Sequence, residues 1–409
     1  MAAAAGTTGA EAPLKRKKRR VQKPANNRTG NKNGIIIGPF DLPFLVIVLI
    51  LLVFGIIMMF SAGYAWAIHE EGGDGTSYVR HQTLMALVGL GCMIFVTCVD
   101  YHFYRKLWVV LGSFAGAIAT CLLLFTPLGR VHNGAKRWLW VGFTEVQPSE
   151  VMKLAIIILF AYLISVNYNR MKPFKYGIVP FFIALAVVIG LLMLQPHLSC
   201  TILICVIGII MIYVGGADFK KLLLIAGIGA IALVGIVIAL IELKGVGYFQ
   251  TRIEIWLDPF SDPTGDSWQT QNSLIAIGSG GLFGLGLGNS RQKFLYLPES
   301  KNDFVFAVVC EELGFIGAMM VIILFALFIF RGFYIASKAP DKFGMMLVVG
   351  VTIQIGLQAI LNIAVVTNSI PNTGISLPFF SYGGTALIMQ LAEMGIILNV
   401  SRQSAAPES

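Results

Sequence analysis

About ten apolar stretches follow one another along this chain, near 43–66, 82–100, 106–126, 149–166, 177–194, 198–214, 222–243, 303–331, 343–366 and 385–400. A helix of about 20 apolar residues spans the hydrocarbon core of a bilayer. Hydrophobic residues make up 56% of the chain and charged ones 12%, a balance that excludes a soluble domain. The expected fold is an all-α polytopic membrane protein of about ten transmembrane helices. Residues 1–34 form a basic tail, 35–402 the membrane domain and 403–409 a short C-terminal tail.

A formal net charge of +9 suggests nucleic acid until it is placed along the chain. Residues 1–34 hold nine Lys and Arg, from Lys15 to Lys32, against the single acid Glu11. Such a Gly- and Asn-rich segment is too polar to fold. It reads as a cytoplasmic topology anchor near anionic headgroups, and it lacks the interleaved aromatics of a nucleic-acid binder. Putting the tail inside also puts Arg105, Lys106, Arg170, Lys172, Lys175, Lys220, Lys221, Arg331, Lys338, Lys342 and Arg402 inside, in all 20 of the 30 basic residues. An even number of spans returns the C-terminus to the cytoplasm. The connections 129–148, 244–302 and 367–384 then face outward, with the large loop 244–302 between helices 7 and 8.

The first apolar run is too long for a signal h-region and lacks a small-residue cleavage site, so the first span is expected to stay. The six cysteines fall in apolar stretches without metal-ligand spacing and read as small lipid-facing or packing residues. No inverted repeat of the transporter kind is evident. At Gln195-Pro196-His197 two short apolar runs are separated by a turn, where His197 reads first as a hydrogen-bonding partner.

Candidate chemistry gathers in the outward connections. Tyr296-Leu297-Pro298-Glu299 runs through Asp303 into a membrane helix carrying Glu311 and Glu312, and charge at that depth tends to mark function. Asp303 reads either as a working carboxylate or as the N-cap of that helix. Gln147-Pro148-Ser149-Glu150 looks like a helix start, with Glu150 and Lys153 neighbours on one face, as an ion pair at the helix entry or as part of a cationic pocket with Lys136 and Arg137. The glycine-rich run 278–289 offers backbone N–H groups to a phosphate or close packing to a re-entrant segment. Trp256, Phe260 and Trp268 suit the headgroup level. The loop from Pro371 to Thr385 holds Ser376 and Ser381 and is expected to wall a wet cavity. No nearby His would activate either serine as a nucleophile.

These segments together resemble one family. Asn133-Gly134-Ala135-Lys136-Arg137-Trp138, Gln147-Pro148-Ser149-Glu150 with Lys153, Gly286-Leu287-Gly288-Asn289-Ser290, the run from Tyr296 through Asp303 to Gly314, and Gly374-Ile375-Ser376-Leu377-Pro378-Phe379-Phe380-Ser381-Tyr382-Gly383-Gly384 are similar to motifs of the SEDS membrane glycosyltransferases of peptidoglycan synthesis. The last of them is more similar to the division-type branch, FtsW, than to the elongation-type RodA; a sporulation-type member stays open.

The resemblance implies a ten-span enzyme of the cytoplasmic membrane that polymerises lipid II into glycan strands on the outer face. Asp303 matches the family's catalytic carboxylate. Transfer from a pyrophosphate needs a base for the incoming hydroxyl and little help for the leaving group. Arg137, Lys136, Glu150, Lys153, Ser376 and Ser381 are expected to bind substrate. Cationic groups or a divalent cation, Mg or Mn, would offset charge on the departing pyrophosphate. The implied partners are a class B penicillin-binding transpeptidase in trans and other divisome proteins. Where many members have Gln-Pro-Asp, this chain has Gln195-Pro196-His197, so no metal ligand is carried over there. A lipid II flippase using the same cavity is the alternative.

Overall fold

A computed structural model of the chain describes residues 39–404 except 71, 133–134, 143–144, 196, 245–247, 263–264 and 266. The basic tail 1–34 and most of the C-terminal tail lie outside the described residues.

The apolar runs become helices: α1 (Leu42–Glu70), α2 (Ser77–Cys98), α3 (Leu107–Leu123), α4 (Pro148–Asn167), the single turn α5 (Phe174–Gly177), α6 (Val179–Leu194), α7 (Leu198–Val214) and α8 (Phe219–Lys244). After α9 (Tyr248–Leu257) and α10 (Trp268–Gly280) come α11 (Val305–Lys338), α12 (Lys342–Val366) and α13 (Gly384–Gln403). Among the described residues seven helical segments are long and apolar enough to cross a membrane, and α3 and α7 are shorter apolar helices. The loop 244–302 therefore carries two helices of its own.

The connection 129–146 corrects the expectation of an all-helical chain. It forms an antiparallel sheet of β1 (Gly129–His132), β2 (Ala135–Trp140) and β3 (Glu145–Val146) in the order β1-β2-β3. Leu139 pairs with Gly129 on one side and with Val146 on the other. Aromatic and branched residues suit such strands, and the Arg130 guanidinium lies 4.3 Å from the Trp140 ring centre, a cation–π contact along the sheet.

Helix starts are set locally. The Asp41 side chain accepts from Phe44 N at 2.9 Å ahead of α1, and Asp341 accepts from Gly344 N at 2.7 Å ahead of α12. Pro148 opens α4, where its missing N–H costs nothing. The cap position is thus Gln147, and Ser149 lies inside the helix.

Between apolar helices in lipid, association rests on packing and polar contacts. Helix α12 is the central element: 78% of its apolar window is buried, against 28% for α11. Helix α13 lies along α2, and Asn399 ties their ends by donating to Thr97 O at 2.8 Å and accepting from Tyr101 N at 2.9 Å.

The connections sort by charge. At one end Arg331 grips Asp41 through paired hydrogen bonds, and His102 sits between Asp100 at 2.7 Å and Asp341 at 3.3 Å. Those two carboxylates hold the imidazole above its usual pKa. At the other end the sheet, the 299–304 segment and the 372–384 loop converge.

The glycine run resolves toward packing. Gly314 breaks α11 with a φ of 66°, and a Cβ there would meet Gly284 N at 2.3 Å. Leu285 N and Gly286 N donate to the carbonyls of Glu311 and Glu312, each at 2.9 Å. Those N–H groups are spent on the protein itself. Glu311 accepts from Ser290 Oγ and Arg291 N, and Glu312 pairs with Lys293 at 2.9 Å, so both acids lock the 288–293 segment to α11.

Candidate functional site

A cavity of about 630 Å³ opens where the sheet meets the N-terminal ends of α2, α4, α7, α11 and α13. Asp303, Arg137, Glu150, Lys153, Ser376 and Ser381 all line it. Lys136, the neighbour of Arg137 on β2, is exposed and is not among the lining residues.

Asp303 lies one residue ahead of the cap position of α11, which is Phe304, so the capping alternative is not realised. Asp303 is half-buried and lines the cavity, enclosed on its other sides by protein. That enclosure, followed by the nearby charge of Glu299, pushes its carboxyl up to about 7, while Arg137 and Arg252 pull the other way. Among the described residues no hydrogen-bond donor holds the carboxylate down. A carboxylate about half ionised at neutral pH has the proton affinity a general base needs. Glu299 itself sits in the left-handed region, φ 55°, a conformation unusual for a residue with a side chain.

On α4 one helical turn brings Lys153 Nζ to 2.8 Å from Glu150 Oε1, with side-chain exposures of 1% and 10%. The ammonium also donates to Gln358 Oε1 at 3.0 Å. Gln358 in turn donates to Ser376 O at 3.1 Å and to Ser376 Oγ at 3.2 Å. The Glu150 carboxylate offsets the charge of the buried ammonium, and Gln358 accepts one of its hydrogens.

Ser381 acts as a strut. Its hydroxyl donates to Asn302 O at 2.6 Å and accepts from Leu377 N at 2.7 Å, tying the last loop to the segment that carries Asp303. The Gln82 amide grips the same loop, donating to Ser381 O and accepting from Gly383 N, each at 3.2 Å. At the mouth Lys301 bridges to Glu70 at 2.8 Å and lies 3.9 Å from the Tyr78 ring centre.

His197 lines the cavity with its Nε2 3.2 Å from Gln147 Nε2. Burial first, then the charges of Arg137 and Lys153, push the imidazole down to about 3. It is therefore neutral, a hydrogen-bonding group that holds the start of α4. Among the described residues no group of three His, Cys, Asp or Glu side chains could hold a metal ion. These side chains therefore form no all-protein cage for a divalent cation among the described residues.

Sequence reading passed over Gln82, Gln354, Gln358, Asn362 and Glu393. A signal was available: Gln354, Gln358 and Asn362 recur every four residues inside an apolar span and are all buried, so they share one face of α12.

The FtsW/RodA/SpoVE family, described as cell cycle protein, matches residues 42–406. The stage V sporulation protein E of Bacillus subtilis strain 168 is 41% identical over 89% of this chain and 97% of its own. A probable peptidoglycan glycosyltransferase FtsW of Geobacter sp. strain M18 is 38% identical over 88% of this chain and 96% of its own. A solved structure described as a peptidoglycan synthase complex that coordinates polymerization and crosslinking is 24% identical, with a TM-score of 0.71 over 89% of this chain and 98% of that one. The last likeness is one of fold.

Proposed function

This chain belongs to the FtsW/RodA/SpoVE family, and from that premise we propose that it is a peptidoglycan glycosyltransferase that polymerises lipid II into glycan strands at the outer face of the cytoplasmic membrane. The observation that carries the reading is Asp303, a cavity carboxylate pushed up to about 7 with Arg137 lining the same space. Both relatives named above align over nearly the whole chain, and one is named for this activity.

In this reading Asp303 takes the proton of the acceptor GlcNAc 4-hydroxyl. The oxygen attacks the anomeric carbon of the donor MurNAc, and the bond to undecaprenyl pyrophosphate breaks with inversion. General-base assistance of this kind is worth roughly 10²–10⁴ in rate. Arg137 and Lys153 stand against the charge that builds on the leaving pyrophosphate.

Ten helices, α1 to α4, α6 to α8 and α11 to α13, cross the membrane in this reading. The cavity end faces outward and the Arg331 and His102 end faces the cytoplasm, as the distribution of basic residues supports. A class B penicillin-binding protein works beside the chain, in keeping with the fold it shares with a synthase complex. The residues of the loop Gly374–Phe380 support a role in septal wall synthesis, while the sporulation relative is 41% identical and the division-type one 38%. Depletion in the native host separates the two roles: filaments without septa mark division, and a defect confined to spores marks the other branch.

A flippase for the same lipid is less well supported, because no inverted repeat of the transporter kind is evident in the chain. Reconstituted protein given labelled lipid II on one leaflet tests the choice. Glycan ladders on a gel support polymerisation; movement of intact lipid between leaflets with no polymer would contradict it.

A further inference from the structure

Asn362 on α12 is fully buried, and both hydrogens of its amide are in use. One goes to Asp303 O at 2.7 Å and the other to Ile375 O at 2.6 Å. Gln358, four residues earlier on the same face, holds Ser376 and accepts from Lys153 as described above. Two amides one turn apart on the most enclosed helix of the bundle thus reach the segment carrying Asp303, the loop opposite it, and the buried cation.

Resting on the assignment of Asp303 as base, we propose that Asn362 is a positioning residue that sets where the Asp303 carboxylate stands, and that Gln358 carries the same frame to Lys153. A neutral amide suits the task because both partners of Asn362 are carbonyl acceptors. A carboxylate there would repel them, and an apolar side chain would leave both unpaired in a buried place. The loop that Asn362 holds brings Gly374 against the base: a Cβ at 374 would lie 3.2 Å from Asp303 Oδ2.

This role is separable from holding the loops in place. The 299–304 segment is also tied by Ser381 Oγ to Asn302 O, by Tyr382 N to Lys301 O at 2.8 Å and by Ser300 Oγ to Ala62 O at 3.0 Å. Removing Asn362 leaves the segment attached and frees the peptide of Asp303. The charged groups that act on the freed carboxylate are Glu299 from its own segment, Arg137 from β2 and Arg252 from α9.

The test is the pH dependence of carbodiimide labelling at Asp303, read by mass spectrometry on the full chain in detergent, with polymerisation of lipid II measured in parallel. Asn362→Leu keeps the branched shape and heavy-atom count, and Asn362→Ala relieves crowding should the larger leucine fold poorly. Labelling of Asp303 in wild type is expected to fall with a midpoint near neutral pH. In the Asn362 variants the carboxylate relaxes toward the two arginines, and the midpoint drops by at least about one pH unit. Turnover per folded molecule falls about 10- to 100-fold, as a small misplacement of a reacting group does, with KM for lipid II within about threefold. Gln358→Met keeps the wild-type midpoint. A folded Asn362 variant with wild-type midpoint and turnover would overturn the proposal. The label needs no turnover, so an inactive wild type that shows the shift removes the glycosyltransferase reading alone, and an active wild type without it removes the positioning role alone.

Discussion

Lys153 Nζ lies 2.8 Å from Glu150 Oε1, three residues back on α4, and both side chains are buried at the cavity wall. A lone charge in that place is costly, and the pair makes the ammonium tenable there. Removing one partner of a buried pair costs about 3–5 kcal/mol, whereas replacing both is often close to neutral. Glu150→Gln and Lys153→Met are each expected to lower stability by about 3 kcal/mol, and the double variant to recover most of that loss. All three are expected to polymerise poorly. Denaturant unfolding in detergent beside a turnover assay checks this; a double variant no more stable than the singles would contradict it.

Asp303 gives a stability dependence of definite sign. Its folded carboxyl is pushed up to about 7 from an ordinary 3.8, so between those values the folded chain binds more protons than the unfolded one. Stability from this group falls as pH rises through that window and is level above it. Asp303→Asn removes the effect. The variant is expected to melt higher than wild type at pH 8 and equal to it near pH 4, and a lower melting point at pH 8 would count against the burial of this carboxylate.

Neighbours on β2 are expected to behave differently. Arg137 lines the cavity and holds the Asp303 carboxyl down, while Lys136 is exposed outside it. Arg137→Ala is expected to cost roughly a hundredfold in kcat/KM, as loss of a stabilising cation does. It is also expected to move the acid limb of the rate to higher pH. Lys136→Ala stays within about threefold of wild type, as exposed charges do. Rates of the two variants from pH 5 to 9 decide it, and equal losses would contradict the placement.

Gly374 has a φ of 65°, and a side chain there would press on Asp303 Oδ2. Gly374→Ala carries about 1 kcal/mol of backbone strain and displaces the carboxylate. Turnover is expected to fall at least about tenfold with little change in KM. A variant with wild-type turnover would show that the carboxylate tolerates displacement.

Much of this architecture was legible because hydropathy over a long run is a strong signal: each apolar stretch from 43–66 to 385–400 coincides over most of its length with a helix of the structure. The sheet at 129–146 was not, since its strands are of two to six residues and the alternation in Ala135–Trp140 is too brief to separate from a loop. For the site, the residues drawn from loop motifs, Asp303, Arg137, Glu150, Lys153, Ser376 and Ser381, line one cavity. The groups that hold them were missed because a single amide in an apolar helix looks like composition until a neighbour is known. Only folding brings Asn362 to Asp303 across 59 positions of sequence. The two roles of Ser381, toward Asn302 and Leu377, likewise exist only once the loops meet.

The most direct test of the central claim is polymerisation of purified lipid II by the reconstituted chain with a class B penicillin-binding protein, comparing wild type with Asp303→Asn and Asp303→Ala at matched amounts of folded protein. Glycan chains from wild type and none from either variant are predicted; equal polymer from all three would remove Asp303 from the chemistry, and intact lipid II with every protein would contradict the glycosyltransferase itself.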